Sequence, residues 1–549
     1  MYFILNYAFS VSLLIFFHLS GKNFFRLFLS KKNFKKEELI VDITPLYVIL
    51  GLFWFGNILI VLNFLIPIKN IIYVFLIIFI IIEKSEIINS IRANKFSIFS
   101  LFFLVHSVLN NNPSQDSKMY HFYVQNLMLN EKLIIGISNF DPLYGLTSIF
   151  DYLSSSVWIG NNYGYSQLLN LIVISTFYNF LFIQIKDKIL KLSPIAISII
   201  LIGFLDNFGL GGGRNGFIFI QEIGKFDNVY AVLFLLTSIF FYFVSKNYEI
   251  DSINFSIFFL MATFLAQLRS MGYLMLFFVF ILLIFMKRLT QLRNNKILIF
   301  FNLIWILKNF LTSSCLIYPV QLTCISYVKW HWPLQSINLS LRATSNNRNP
   351  NYEISEFFSL SWFREYWIYE NLDYILNFII SFVLLFIFLR LTSSNIYINK
   401  SHSLKLIKVC LLSYLISWFF IYPNYRFISG ILLSIYVIFN INLITNMKKK
   451  LIVSKLFTNT SLFFLVITMI FTVRLDSYLA FYKYPNISYE TRHQIPSPNL
   501  TKRVVGYGFT TIDFYCYSSL ECSKSNQLTR LDKKLGYKIF IPLNMELYD

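Results

Sequence analysis

Long apolar runs, separated by short polar ones, set the pattern of this chain. A helix needs roughly 20 mostly apolar residues to cross the hydrocarbon core of a bilayer. Runs of about that kind fall near 2–19, 44–66, 70–88, 96–109, 164–184, 193–208, 228–245, 254–268, 271–286, 297–318, 374–392, 406–421, 428–446 and 458–475. They are too long for strands and predict α-helices. The polar connections alternate in charge. Those after the runs ending near 19, 88, 184, 286, 392 and 446 are rich in Lys and Arg, as in KKNFKK at 31–36, KRLTQLRNNK at 287–296 and KKK at 448–450. Basic connections stay in the cytoplasm. The amino terminus, the loops 110–163, 209–227 and 319–373, and the tail 476–549 are then extracytoplasmic.

The expected fold is an all-α polytopic bundle of about 14 transmembrane helices with outer loops and a small C-terminal tail. Three regions follow. Residues 1–95 form N-terminal membrane helices, 96–475 a transmembrane core carrying the outer loops 110–163 and 319–373, and 476–549 the outer tail. The first run is followed by Lys22, Arg26 and Lys31 rather than by a small-residue cleavage site, so it reads as a retained anchor.

Composition agrees with the pattern. Of the 549 residues 56% are hydrophobic, 62 of them Phe, and a soluble surface of that kind would aggregate. The net charge of +20 resembles that of a nucleic-acid binder until it is located. It lies in the cytoplasmic connections, so nucleic acid is excluded as a partner and anionic membrane lipid suits the charge. Of the five cysteines, Cys410 lies within a run and reads as core packing. Cys516 and Cys522 are disulfide candidates in the tail, and Cys315 and Cys324, flanking Tyr318-Pro319, are a second pair.

The first long segment unable to sit in lipid is 110–162, and it holds the candidate chemistry. Asp116 stands five residues before His121, with Tyr120 beside it. One reading is a capping Asp followed by a surface His. The other is catalytic: Asp116 takes a proton from an acceptor hydroxyl, or helps bind a divalent cation such as Mg or Mn that holds a phosphate leaving group. Charges in or beside apolar runs are costly unless they face a cavity or a partner. Lys308, Arg269 and Arg426 are of this type, and Arg214 lies in GLGGGRNG at 209–216, a turn able to bring amides to an anion. All four fall toward the predicted outer side, a set suited to a lipid-anchored phosphate. No Walker loop, dinucleotide fingerprint, HExxH or GxSxG is present.

At these residues the chain resembles the GT-C-like polytopic membrane proteins of bacteria, and among them a poorly characterised group of hypothetical membrane proteins. The resemblance is carried by DSKMYHFYVQNLMLNEKLIIGISNFDPLYGL at 116–146, WILKNFLTSSCLIYP at 305–319, VKWHWP at 328–333, YPNYRF at 422–427 and the tail cysteines. It implies a GT-C-like helical bundle whose first large outer loop bears an acidic catalytic residue, here Asp116. It also implies a polyprenyl-phosphate-linked sugar donor used at the extracytoplasmic face of the bacterial inner membrane. Three runs precede the loop-bearing one here, where many GT-C enzymes have one, and Asp141 and Asp151 are distant from Asp116 in sequence.

The resulting expectation is a membrane glycosyltransferase for cell-envelope glycan or lipid assembly. Asp116, His121 and Tyr120 form its catalytic side; Arg426, Arg269, Lys308 and Arg214 contact the donor phosphate. Two other classes compete. An O-antigen-type polymerase or ligase would depend on Arg342, Arg348 and Arg364 of the later loop. A lipid-linked oligosaccharide flippase would show two similar halves, which the sequence lacks. The charge asymmetry makes a direct prediction: a periplasm-active reporter fused after residue 116 is expected to be active, and a cytoplasm-active one silent.

Overall fold

The computed structural model describes residues 2–29, 42–110, 113–114, 116–160, 162–186, 193–208, 220, 222–247, 253–331, 363, 367–392, 402–421, 424–441, 444, 455–473, 475, 477–479, 504–505, 509–510, 529–534 and 536–542. Helices dominate among them. Five are long and apolar enough to cross a membrane: Phe3–Leu29, Tyr163–Lys186, Asp227–Ser245, Lys296–Ser313 and Asn371–Leu391. Eight shorter apolar helices accompany these, among them Tyr47–Asn63, Ile253–Leu268 and Phe427–Phe439.

Helix boundaries follow local chemistry. The run near 70–88 breaks into Ile71–Ile82 and Lys84–Ala93, where KSE introduces charge. The runs near 254–268 and 271–286 are separated by a short turn, Ser270–Gly272, just after Arg269. The run near 297–318 stops at Ser313, because Ser314 takes the left-handed conformation at φ 64° and the chain enters a disulfide-closed hairpin.

Two devices hold the helices together. Helices Tyr2–Phe24 and Tyr47–Asn63 approach backbone to backbone through Gly21 and Gly51. A Cβ at Gly21 would lie 1.8 Å from the Tyr47 carbonyl oxygen, and one at Gly51 would lie 1.9 Å from that of Phe17. Small residues at a crossing allow close van der Waals packing, which matters most where no hydrophobic force separates helix from lipid. The second device is a reciprocal amide pair. Asn57 Nδ2 donates to Gln267 Oε1 at 3.1 Å and Gln267 Nε2 donates back to Asn57 Oδ1 at 2.9 Å, both buried.

Burial is uneven. The helix Asp227–Ser245 is wholly enclosed by its neighbours, whereas only 22% of the apolar window in Asn371–Leu391 is buried. Its outward residues include Ile379, Val383, Ile387 and Leu391, and Ile77, Ile81, Phe277 and Leu303 are similarly bare on other helices. Exposed apolar surface on this scale needs an apolar medium against it.

Polar elements gather at one end. Pro113 pairs with Ile223, and Ser114 N–H donates to the Ile223 carbonyl. Asn139 Nδ2 donates to the Trp330 carbonyl, and Ser138 Oγ donates to that of Thr312. An antiparallel hairpin, Thr529–Lys534 and Tyr537–Pro542, docks on the same region. Ile135 N–H donates to the Lys538 carbonyl, Tyr537 Oη donates to the Phe64 carbonyl, and Lys538 pairs with Glu131. Gly51→Ala forces the two helices apart and is expected to cost about 1–3 kcal/mol, read as a lowered Tm in detergent. Leu303→Ala, on a bare face, is expected to leave the Tm unchanged.

Candidate functional site

The centre of the polar end is Asp151, whose side chain is only 1% exposed. It lies in the first turn of the helix Ile149–Ser156, capped by Ser148 in a complete capping box. Ser148 N–H and Oγ donate to Asp151 Oδ2 at 2.8 and 2.9 Å, and Asp151 N–H donates back to Ser148 Oγ. The other oxygen, Oδ1, accepts from His121 Nδ1 at 2.8 Å and Gln125 Nε2 at 3.1 Å. An ionised carboxylate only accepts, so Nδ1 carries the proton and Nε2 is the ring's basic nitrogen. Burial pushes the Asp151 carboxyl up. The His121 charge and the bonds from His121, Ser148 and Gln125 outweigh it and hold the group below its ordinary range.

His121 reaches Asp151 through an unusual backbone. Residues Ser117–His121 form a π-helical turn leading into the helix Phe122–Asn130. Such turns are rare and frequent at functional sites. The turn is braced by Gly224, at φ 86°, where a Cβ would lie 2.0 Å from Ser117 Oγ. His121 and Gln125, four apart, share one face and both reach Asp151. The ring of His121 lies 4.0 Å from that of Tyr120 and 5.5 Å from that of Phe226.

Asp116 stands at the head of this turn, half-buried, and makes no capping bond to it. The carboxylate that binds His121 is therefore Asp151, not the one five residues away. Arg269 is engaged by Asp227, with its guanidinium 3.9 Å above the Phe427 ring and 5.8 Å from that of Phe226. Phe226 is thus a neighbour of both His121 and Arg269. Arg269 Nε is buried with no hydrogen-bond partner among the described residues, and so is Gln125 Oε1. Arg426 belongs to the helix Tyr425–Phe439, and its side chain lies outside the described residues. Arg214, Arg342, Arg348, Arg364, Cys516 and Cys522 also lie outside them.

Lys308 is fully buried, at 0% exposure. Its ammonium donates to the Thr147 hydroxyl and carbonyl and lies 4.6 Å above the Trp305 ring. It faces a cavity of about 40 Å³ whose polar lining includes Asn63, Lys132, Thr147, Tyr152 and Thr312. That is room for a few waters rather than a sugar. Thr147 adjoins Ser148, so Lys308 and Asp151 approach the same short stretch from two sides.

The residues do not fit a divalent cation at Asp151, whose oxygens are occupied by four donors. Among the described residues no three His, Cys, Asp or Glu side chains group as metal ligands. Asp151, Gln125, Thr147 and Asp227 escape a reading by spacing alone. The Ser-x-x-Asp at 148–151 ahead of an apolar turn is a capping-box signature and marks Asp151 as placed.

Over residues 1–433 the chain matches the family described as Domain of unknown function (DUF8201), and it belongs to that family. No curated protein and no solved structure matches it.

The depressed Asp151 carboxyl sets a pH dependence. Its contribution is present above the unfolded value, about 3.9, and is lost as pH falls through the lower folded value. Asp151→Asn is expected to cost about 1–3 kcal/mol at pH 7. The stability gap between wild type and variant is expected to narrow below about pH 4 in thermal melts.

Proposed function

We propose that this DUF8201 protein is a GT-C-like membrane glycosyltransferase. It spans the bacterial inner membrane about 14 times with its polar end extracytoplasmic, and it takes its sugar from a polyprenyl-phosphate-linked donor. The observation that carries this reading is the buried Asp151–His121 pair at the polar end, with a buried ammonium on the adjoining residue Thr147. The disulfide Cys315–Cys324 at the same end supports the orientation, since such bonds persist in oxidising compartments.

In this mechanism Asp151 orients His121 and stabilises its protonated form. His121 Nε2 accepts the proton of an acceptor hydroxyl, which attacks the anomeric carbon of the donor. The bond from that carbon to the phosphate oxygen breaks, and the lipid phosphate leaves with the electron pair. Gln125 Oε1 accepts a substrate hydroxyl, and Tyr120, tilted against the His121 ring, lines the acceptor side. Arg269, one ring from His121, supplies Nε to the phosphate, and Arg426 and Arg214 are its further contacts. Lys308 acts at one remove by fixing Thr147, because its cavity is too small for the headgroup. Asp116, at the head of the π turn, contacts the acceptor.

The test uses purified protein in proteoliposomes with undecaprenyl-phosphate-linked radiolabelled sugars and envelope glycan acceptors. Wild type is expected to consume the donor. His121→Gln should slow turnover by about 10²–10⁴-fold, and Asp116→Asn should also reduce it at unchanged abundance. Wild-type rates in both variants would sink the assignment. Movement of labelled lipid between leaflets without donor consumption would make the protein a flippase. Selective loss on substituting Arg342, Arg348 and Arg364 would favour a polymerase or ligase.

A further inference from the structure

Residues 314–331 form a compact unit that the proposed chemistry does not use. Cys315 and Cys324 are joined and paired as an antiparallel bridge. Thr323 satisfies the turn from within. Its hydroxyl donates to the Val320 and Ile317 carbonyls and accepts from Ile317 N–H, and its own carbonyl accepts from Leu316 N–H. Ile325 N–H donates to the Ser314 carbonyl. The base is fixed to the protein by Tyr318, buried against Leu146, and by Trp330, whose indole donates to the Phe310 carbonyl.

The tip is the reverse of a soluble loop. Leu322 is 98% exposed and Tyr327 97%, with Leu316, Val320 and Ile325 also bare. No Asp, Glu, Lys or Arg occurs from Asn309 to Val328; Lys329 follows immediately. The helix Lys296–Ser313, which leads into the hairpin, also carries bare apolar side chains, Phe300, Leu303 and Leu307. A segment entering the headgroup–acyl boundary needs backbone groups satisfied internally, apolar side chains outward, and its cation at the rim. This hairpin has its turn bonded internally, its apolar side chains outward and Lys329 exposed at its foot.

We infer that residues 316–327 dip into the outer leaflet, with Leu322 and Tyr327 in the lipid interface and Lys329 at headgroup level. The inference rests on the reading of Lys296–Ser313 as a membrane span. It does not depend on the reaction assigned to His121. Dipping would hold the loop 136–146, on which Tyr318 and Trp330 are seated, at a fixed height above the membrane.

The experiment places p-benzoylphenylalanine at 322, 327, 300 or 222 in the full chain, irradiates intact membranes and identifies adducts by mass spectrometry. Positions 322 and 327 touch little, so the probe is tolerated, and Glu222 is a half-exposed polar control at the same end. An about tenfold excess of phospholipid adducts at 322 and 327 over 222 is expected for an apolar tip at the acyl boundary, together with adducts at 300. Adducts at 300 but not at 322 or 327 overturn the hairpin proposal and leave the span. Absence at 300 as well removes the span reading beneath it. Protein adducts at 322 show a protein partner in place of lipid, and equal lipid labelling at 222 shows that no depth is sensed; either overturns the proposal.

Discussion

A carboxylate withdrawn from water costs several kcal/mol unless donors surround it, and the polar end of this protein is arranged around that requirement at Asp151. Its four donors come from the Ser148 cap and from the first helix of the large loop. The demand for all of them fixes the register between 117–125 and 148–156. The π turn follows from the same demand. It brings His121 and Gln125 to one carboxylate while Ser117 stays packed on Gly224.

Two cations show how charge is handled deeper in the structure. Arg269 lies against Asp227 with aromatic rings on several sides, and Lys308 uses a hydroxyl, a carbonyl and the face of Trp305. Arg269 has a carboxylate in contact, whereas the partners that Lys308 touches are neutral. The negative charge nearest in effect to Lys308 is Asp151, which acts on it across the Thr147–Ser148 stretch without touching it.

Helix positions were largely legible in the chain, because an uninterrupted apolar run leaves the backbone few alternatives. The run 228–245 became Asp227–Asn247, and 164–184 became the helix Gln167–Lys186 after a short 3-10 turn at Tyr163–Ser166. Ends were less legible, since they depend on single residues such as Ser314 or on charges such as those following Ile82. The site was half legible. His121 and Lys308 attract notice as polar groups beside apolar runs, but their partners come from returns of the chain. Asp151 lies 30 residues from His121, and Thr147 lies 161 from Lys308. Sequence singles out Asp116 as the acidic residue ahead of His121, whereas the carboxylate bonded to His121 is Asp151. For the cysteines, the nine-residue separation of Cys315 and Cys324 around Tyr318-Pro319 marked a pair that the fold joins.

The hairpin at 529–542 follows every described helix in the sequence, yet it lies across residues 131–135 of the first large loop. Tyr537 also reaches back to Phe64, 473 positions earlier. The rim of the Lys308 cavity, where Lys132 faces Tyr537, is thus finished by a hairpin that follows all the described helices. A partly inserted chain carries the loop with its edge open. Closure of the polar end thus draws on a segment about 400 positions downstream of the loop it covers.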